Sequence, residues 1–312
     1  MDWLQALLLG LVQGLTEFLP VSSSGHLAIG KALLGVEPSE DLVFEVTVHA
    51  ATVLATIVVF RKEIWKLLCG LFKFKYNDET DYIAKICLSM VPVFIVGMFF
   101  KDKVESAFNS MLIVGLALIV TAMLLVFSDW KTKRGFGGFC SGAHKTGEKG
   151  SEAKVAEALA DGQCRESGGD LCAKVSGDSG QSGTDRYRNG ISFWQALVVG
   201  IGQAFAVIPG LSRSGTTIST GLICGVKRSN MAQFSFLMVL VPILGEAFLD
   251  VVGGDMAASS TGFLPLAVGF VAAFISGLFA CKVMIALVRK AQLKWFGLYC
   301  ALVGLAVLIF MV

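Results

Sequence analysis

The chain has 312 residues, of which 54% are hydrophobic and 16% charged, with a net charge of +2 and a mean hydropathy of +0.70. Soluble domains carry about 25% charged residues, so the composition excludes an ordinary globular protein and reads as an integral membrane protein. The near-neutral charge excludes a nucleic-acid partner; the charges matter through their placement along the chain.

Met1-Asp2-Trp3 puts an acid where a secretory leader carries bases, and the start reads as mature sequence. Residues 2–35 hold two apolar segments, each short of the about 20 residues that a crossing needs. The polar corner Ser22-Ser23-Ser24-Gly25-His26 splits them. This predicts a re-entrant helical hairpin that enters and leaves on one side. Three crossings are expected near 43–60, 82–100 and 109–128. A polar stretch at 129–191 follows, with 13 glycines, ten bases and nine acids. It is too poor in large apolar residues to fold alone and reads as a flexible cytoplasmic linker, with a short helix allowed at Ser151–Ala160. Residues 192–226 repeat the broken hairpin, and crossings are expected near 231–250, 262–284 and 293–312.

Basic residues give the orientation. Arg61, Lys62, Lys66, Lys73 and Lys75 lie in the first loop, the linker holds ten bases, and Lys227, Arg228, Arg289 and Lys290 follow. The alternate loops are poor in Lys and Arg. With six crossings all rich loops fall on one side, which is therefore cytoplasmic. The first hairpin then enters from outside and the second from the cytoplasm. The expected fold class is an all-α polytopic membrane protein, an inverted-topology repeat of six transmembrane helices plus two re-entrant hairpins. Its parts are a first membrane repeat at 1–128, the linker at 129–191 and a second membrane repeat at 192–312. Five of the eight cysteines lie in or beside apolar segments, while Cys140, Cys164 and Cys172 match no zinc spacing; all read as unpaired thiols in a reducing compartment.

The two hairpins resemble each other. A shift of 190 lays Gln13 on Gln203, Ser22 on Ser212, Ser24 on Ser214, Gly25 on Gly215 and Phe44 on Phe234. Paired, interrupted segments in the two halves of a membrane protein point to its binding site. In the first, Gln13 and Glu17 share a helix face with Thr16 beside them, and an ionised residue within a membrane segment is a functional candidate. A carboxylate that caps the amides of the corner is the structural alternative. Ser22, Ser23, Ser24 and His26 sit at the turn, where a serine is ordinarily an N-cap and a histidine near a carboxylate could exchange protons. His49 reads as structural, with a hydrogen-bonded role inside a crossing. In the second corner, Arg213 is flanked by Ser212, Ser214 and Thr217 at the start of a helix, which makes an anion site suited to phosphate. A purely structural ion pair of Arg213 with Glu17 or Glu45 is the alternative. Together the corners suit phosphoryl transfer, with Glu17 also suited to a divalent cation such as Mg²⁺. A site reached through the bilayer implies a lipid-borne phosphate.

These residues resemble the undecaprenyl-diphosphate phosphatase, or bacitracin-resistance protein, family. Its first signature is met by Gln13 and Glu17 followed by Phe-Leu-Pro-Val-Ser-Ser-Ser-Gly-His26. Its second, Pro-Gly-x-Ser-Arg-Ser-x-x-Thr, is met at Pro209, Gly210, Ser212, Arg213, Ser214 and Thr217. The likeness covers nearly the whole chain, including Phe44-Glu45-Val46 and Glu246; the linker is longer and more glycine-rich than the family's pattern. The resemblance implies a bacterial inner-membrane hydrolase that converts undecaprenyl diphosphate to undecaprenyl phosphate, the lipid carrier of cell-wall synthesis, and that gives bacitracin resistance. It implies a divalent cation, Mg²⁺ or Ca²⁺, held by Glu17 with Gln13, and a site open to the outer face. It makes Glu17 a metal ligand or base, and His26 a proton donor, base or nucleophile. Ser23 would contact phosphate or attack it, and Arg213 would hold the diphosphate with Ser22, Ser24, Ser212, Ser214 and Thr217. The competing class is a polyprenyl-phosphate transporter or flippase without hydrolysis. The lipid phosphatases with a two-histidine signature are excluded, since no second histidine follows Arg213. The oligomeric state, homodimer included, and the roles of Glu45, His49, Glu246 and Asp250 are left open.

Overall fold

The computed structural model describes residues 1–36, 42–73, 77–100, 110–133, 190–253, 262–290 and 292–311, and all its regular elements there are helices. The first half holds α1 (Trp3–Phe18), α2 (Ser23–Leu34), α3 (Leu42–Val59), α4 (Arg61–Leu71), α5 (Asp78–Phe99) and α6 (Met111–Lys133). The second holds α7 (Phe193–Phe205), α8 (Arg213–Ile223), α9 (Arg228–Gly253), α10 (Phe263–Lys290) and α11 (Lys294–Phe310).

The hairpins begin and end in the same way. Asp2 and Ser192 each cap their helix by a capping box closed by Gln5 and Gln195. The same two glutamines donate onward, Gln5 to the Leu34 carbonyl at 3.1 Å and Gln195 to the Cys224 carbonyl at 3.0 Å, and so tie each hairpin's two ends together. Each second helix is followed by a left-handed glycine, Gly35 at φ 64° and Gly225 at φ 85°, which lets the chain turn away from the helix end. The corners Ser22 and Ser212 cap α2 and α8 through their side chains.

Packing exchanges the halves. Helix α1 lies along α10, and α7 lies along α5. Both contacts are made close by glycine: a Cβ on Gly10 would come within 2.5 Å of the Gly269 oxygen, and one on Gly200 within 2.3 Å of the Ser89 oxygen. Small residues let membrane helices approach to backbone contact, where dispersion holds them. Helices α6 and α11 cross at Gly115 and Gly304, and α3 meets α9. The core is led by Phe18, Phe234, Phe236 and Met238, with a second cluster around Leu9, Phe44 and Val48. Phe94, Met98, Phe279 and Leu302 are exposed on the outer faces, an apolar belt suited to lipid.

Among the described residues, α5, α6 and α10 each offer 22 residues long and apolar enough to cross a membrane. The pair α3 and α4, bent by 77°, makes a fourth candidate, and α7 and α11 are shorter apolar helices. The segments expected as crossings near 231–250 and 293–312 are helical as α9 and α11. Two boundaries differ from expectation. The basic stretch after Phe60 is the helix α4, because Ile64 and Leu67 recur at helical spacing and pack on the core. Helix α6 continues to Lys133, into the expected linker, because Asp129 is buried and accepts from the Arg228 guanidinium at 2.5 Å and the Lys294 amide at 3.1 Å. The possible helix at Ser151–Ala160 lies outside the described residues, as do the linker cysteines Cys140, Cys164 and Cys172.

Candidate active site

The site is built where the two hairpin corners meet. Helix α1 ends at Phe18, and Glu17 stands on its last turn with Gln13 one turn before it, both buried. The Gln13 amide donates to Glu17 Oε2 at 2.9 Å, and the Ser23 hydroxyl donates to the same oxygen at 2.6 Å. Glu17 Oε1 faces the Arg213 guanidinium at 3.7 Å. That separation leaves a Coulomb attraction without a full hydrogen bond. His49 on α3 is also within electrostatic reach of Glu17.

The corners lock to each other directly. Ser24 accepts from the Gly210 amide at 3.5 Å, and Ser214 donates to the Leu19 carbonyl at 3.0 Å. The Ser212 amide donates to Thr121 of α6 at 3.0 Å, while its hydroxyl caps α8. Thr217 is fully buried, and its hydroxyl is shared with Ser235 on α9 at 2.6 Å. Of the hydroxyls around Arg213, Ser214 lines the cleft beside Glu17, Arg213, Thr52 and Thr56. The cleft's other wall is apolar, formed by Phe18, Phe236 and Leu240.

His26 points elsewhere. Its Nδ1 lies 2.8 Å from the Ser22 carbonyl oxygen and its Nε2 2.8 Å from the Tyr299 hydroxyl of α11. The proton exchange expected between His26 and Glu17 is therefore not a contact; Ser23 stands against the carboxylate instead. Ser22 is the one non-glycine residue with positive φ, at 70°, among the described residues. Such a conformation costs about 1–3 kcal/mol and persists where the surroundings impose it.

Lys31 of α2 pairs with Glu45 of α3. Along α3 the polar side chains Glu45, His49, Thr52 and Thr56 share one face, a stripe in a helix that is apolar elsewhere except at Thr47. Sequence reasoning took Glu45 and His49 one at a time and missed Thr52 and Thr56, although their helical spacing was the signal. Tyr299 and Thr121 were also missed; each reaches its partner only through the tertiary fold. The side chains of Glu246 and Asp250 lie outside the described residues.

The donor set offers hard oxygens to a cation. Gln13 Oε1 is buried without a hydrogen-bond partner, and Glu17 lies one turn away. No group of three His, Cys, Asp or Glu forms a metal cage among the described residues. Mg²⁺ is commonly held by one or two carboxylates with water and substrate phosphate completing its shell, and Glu17 with Gln13 Oε1 are oxygen donors of that kind.

The family described as "Bacitracin resistance protein BacA" matches residues 6–306. The chain is 45% identical to a protein of Bacteroides fragilis over 99% of this chain and 98% of that one. It is 46% identical to one of Parabacteroides distasonis over 98% and 97%. A more distant relative, from Methanococcus maripaludis, is 32% identical over 99% and 100%. All three relatives carry the name undecaprenyl-diphosphatase.

Proposed function

The chain belongs to the BacA bacitracin-resistance family, and from that premise we propose that it hydrolyses undecaprenyl diphosphate to undecaprenyl phosphate and inorganic phosphate. The observation that carries the reading at the level of residues is the Arg213–Glu17 pair at 3.7 Å, with Ser23 on the other carboxylate oxygen. A fixed cation, a carboxylate and a hydroxyl are thereby gathered beside an apolar wall, as a phosphate on a lipid tail requires.

Arg213 binds the non-bridging oxygens of the diphosphate and neutralises their charge at a helix start whose dipole favours an anion, while the Ser214 hydroxyl, its hydrogen given to Leu19, lines the same cleft. Glu17 holds the Ser23 hydroxyl in place. The bond from the terminal phosphorus to the bridging oxygen breaks, undecaprenyl phosphate leaves, and a new bond forms to Ser23, His26 or water; where Ser23 or His26 attacks, water then cleaves the phosphorylated residue and releases inorganic phosphate. Gln13 Oε1 and Glu17 would hold a divalent cation, Mg²⁺ or Ca²⁺, which when bound supplies charge neutralisation at the phosphate oxygens. Ser22, Ser24, Ser212 and Thr217 shape the two corners around this point.

The arrangement in the membrane is a six-crossing inverted repeat with two re-entrant hairpins. The reading is supported by the matched capping of α1 and α7, by the exchanged packing of α1 on α10 and α7 on α5, and by the placement of bases. Helix α4, with Arg61, Lys62 and Lys66 and bent away from α3, suits the cytoplasmic membrane surface. The site then opens to the outer face of a bacterial inner membrane. There the product re-enters cell-wall synthesis, and the activity gives the bacitracin resistance for which the family is named.

The test is phosphate release from undecaprenyl diphosphate by purified protein, with and without Mg²⁺, for wild type and Arg213→Ala. Metal-dependent release that collapses in the variant is expected. Folded wild type that releases nothing overturns the hydrolase in favour of lipid-phosphate transport, the class that broken helices in paired halves also suit.

A further inference from the structure

His26 has both ring nitrogens engaged, at Ser22 and at Tyr299; His49 does not. Its Nδ1 lies 2.8 Å from the Glu45 carbonyl oxygen. A carbonyl only accepts, so Nδ1 carries a proton. Among the described residues no hydrogen bond reaches Nε2. The ring is partly buried and stands within electrostatic reach of Glu17.

Helical spacing sets it beside the cleft. His49 precedes Thr52 by three residues and Val53 by four, and both of these line the cleft with Glu17 and Arg213. Positions so spaced share one face of a helix. The repeat agrees. The shift of 190 that lays Phe44 on Phe234 lays His49 on Val239 of α9, and Val239 also lines the cleft. The other polar groups of the α3 stripe have their hydrogens or charge committed within the protein. Glu45 pairs with Lys31, Thr52 donates to the His49 carbonyl at 2.8 Å, and Thr56 donates to the Thr52 carbonyl at 2.9 Å. An anion that meets this stripe finds its partner at His49 Nε2.

We propose that His49 is a further substrate-binding residue, its Nε2 hydrogen-bonded to an oxygen of the terminal phosphate, which is then held from α3 as well as by Arg213 from α8. The inference rests on the phosphatase reading above for the identity of the anion. The contact needs one proton between nitrogen and oxygen. An imidazole, with an ordinary pKa of about 6.5, and a phosphate, with a second pKa of about 6, can each supply it near neutrality. The Nδ1 bond ties the ring to its own helix and so presents Nε2 in a fixed direction. Hydrogen bonding is the whole of the role, and a glutamine amide at this position could fill it in part.

The test uses full-length protein, wild type, His49→Leu and His49→Gln, with two readouts. In steady-state phosphate release from undecaprenyl diphosphate, His49→Leu is expected to raise KM about tenfold with kcat within about threefold, as the loss of a hydrogen bond to a charged group does. His49→Gln is expected to stay within about threefold of the wild-type KM, because its amide can donate to the same oxygen. The other readout is ¹⁵N NMR of histidine-labelled wild type in lipid, titrated with farnesyl methylenediphosphonate, whose P–C–P bridge is not hydrolysed; a His49→Gln spectrum assigns the signal. The His49 Nε2 resonance is expected to move as the analogue binds. An unchanged KM in His49→Leu, a glutamine variant as impaired as the leucine one, or an Nε2 resonance that ignores the analogue overturns the proposal. If His49→Leu does not fold, the wild-type titration decides. A wild type whose Nε2 resonance moves but which releases no phosphate overturns the phosphatase reading instead and leaves the contact in place.

Discussion

Arg213 and Glu17 come from hairpins in opposite halves of the chain and face each other at 3.7 Å, with the carboxylate nearly buried and the guanidinium about a quarter exposed. The contact is an attraction held short of a hydrogen bond, so Arg213 keeps donors for an incoming anion. Glu17 meanwhile has its other oxygen engaged by Gln13 and Ser23. A phosphate that enters the cleft meets a charge already in place.

Arg213→Lys keeps the positive charge and loses the planar fork that matches phosphate oxygens. We expect kcat/KM for phosphate release to fall by at least about tenfold, and Arg213→Ala to fall well below that. Equal activity of the lysine variant would show that charge alone suffices.

Ser23→Ala removes both a hydroxyl near phosphate and a donor to Glu17. The expected loss in kcat is about a hundredfold, in the range of acid–base and positioning effects. The control is Ser229→Ala on α9, which removes an exposed hydroxyl that meets Asn230 at 3.3 Å outside the cleft and should retain full activity.

Gln13→Leu removes the unpartnered buried carbonyl oxygen beside Glu17. The Mg²⁺ concentration that gives half-maximal phosphate release is expected to rise about tenfold, while maximal turnover changes less. A titration curve superposable on wild type would remove Gln13 from the cation's shell.

Gly14 packs so closely on α10 that a Cβ there would come within 2.0 Å of the Ser276 hydroxyl and 2.5 Å of the Ala273 oxygen. Gly14→Val should cost at least about 1–3 kcal/mol through overpacking, read as a lower midpoint of thermal unfolding in detergent. Because α1 carries Glu17, activity should fall together with stability.

Asp81 and Lys85 form a buried ion pair one turn apart on α5, at 2.5 Å. Asp81→Ala leaves the lysine charge buried and should destabilise by about 3–5 kcal/mol. Replacing both, as Asp81→Leu with Lys85→Met, should recover most of that loss. Unfolding midpoints of the single and double variants decide between a paired and an independent role.

Much of the site was legible in the sequence because the chain repeats itself. The positions that agree under the shift of 190 are those that build the hairpins: Ser22 and Ser212 cap, and Gln13 and Gln203 are buried at equivalent turns. Gln5 and Gln195 follow the same rule and could have been read by extending the comparison eight residues. Positions that disagree are those to which the proposed function gives the chemistry: Glu17 lies against Val207, Ser23 against Arg213, His26 against Thr216. Helix boundaries were less legible. Asp129 reads as a solvated charge at the edge of a polar linker, and only its burial against Arg228 and Lys294 makes it the last part of a helix.

By itself the sequence determined the membrane class, the two broken hairpins and the residue types at their corners, because hydropathy, Pro, Gly and Ser act locally and are visible in one segment at a time. The tertiary structure alone decided which groups meet. It set Ser23 rather than His26 against Glu17, turned His26 to Tyr299, and left Arg213 just beyond bonding distance. Those choices depend on how α2 leans on α6 and α11 and how closely the glycines let α1 approach α10. They are fixed by packing between segments far apart in the chain, which no local pattern encodes.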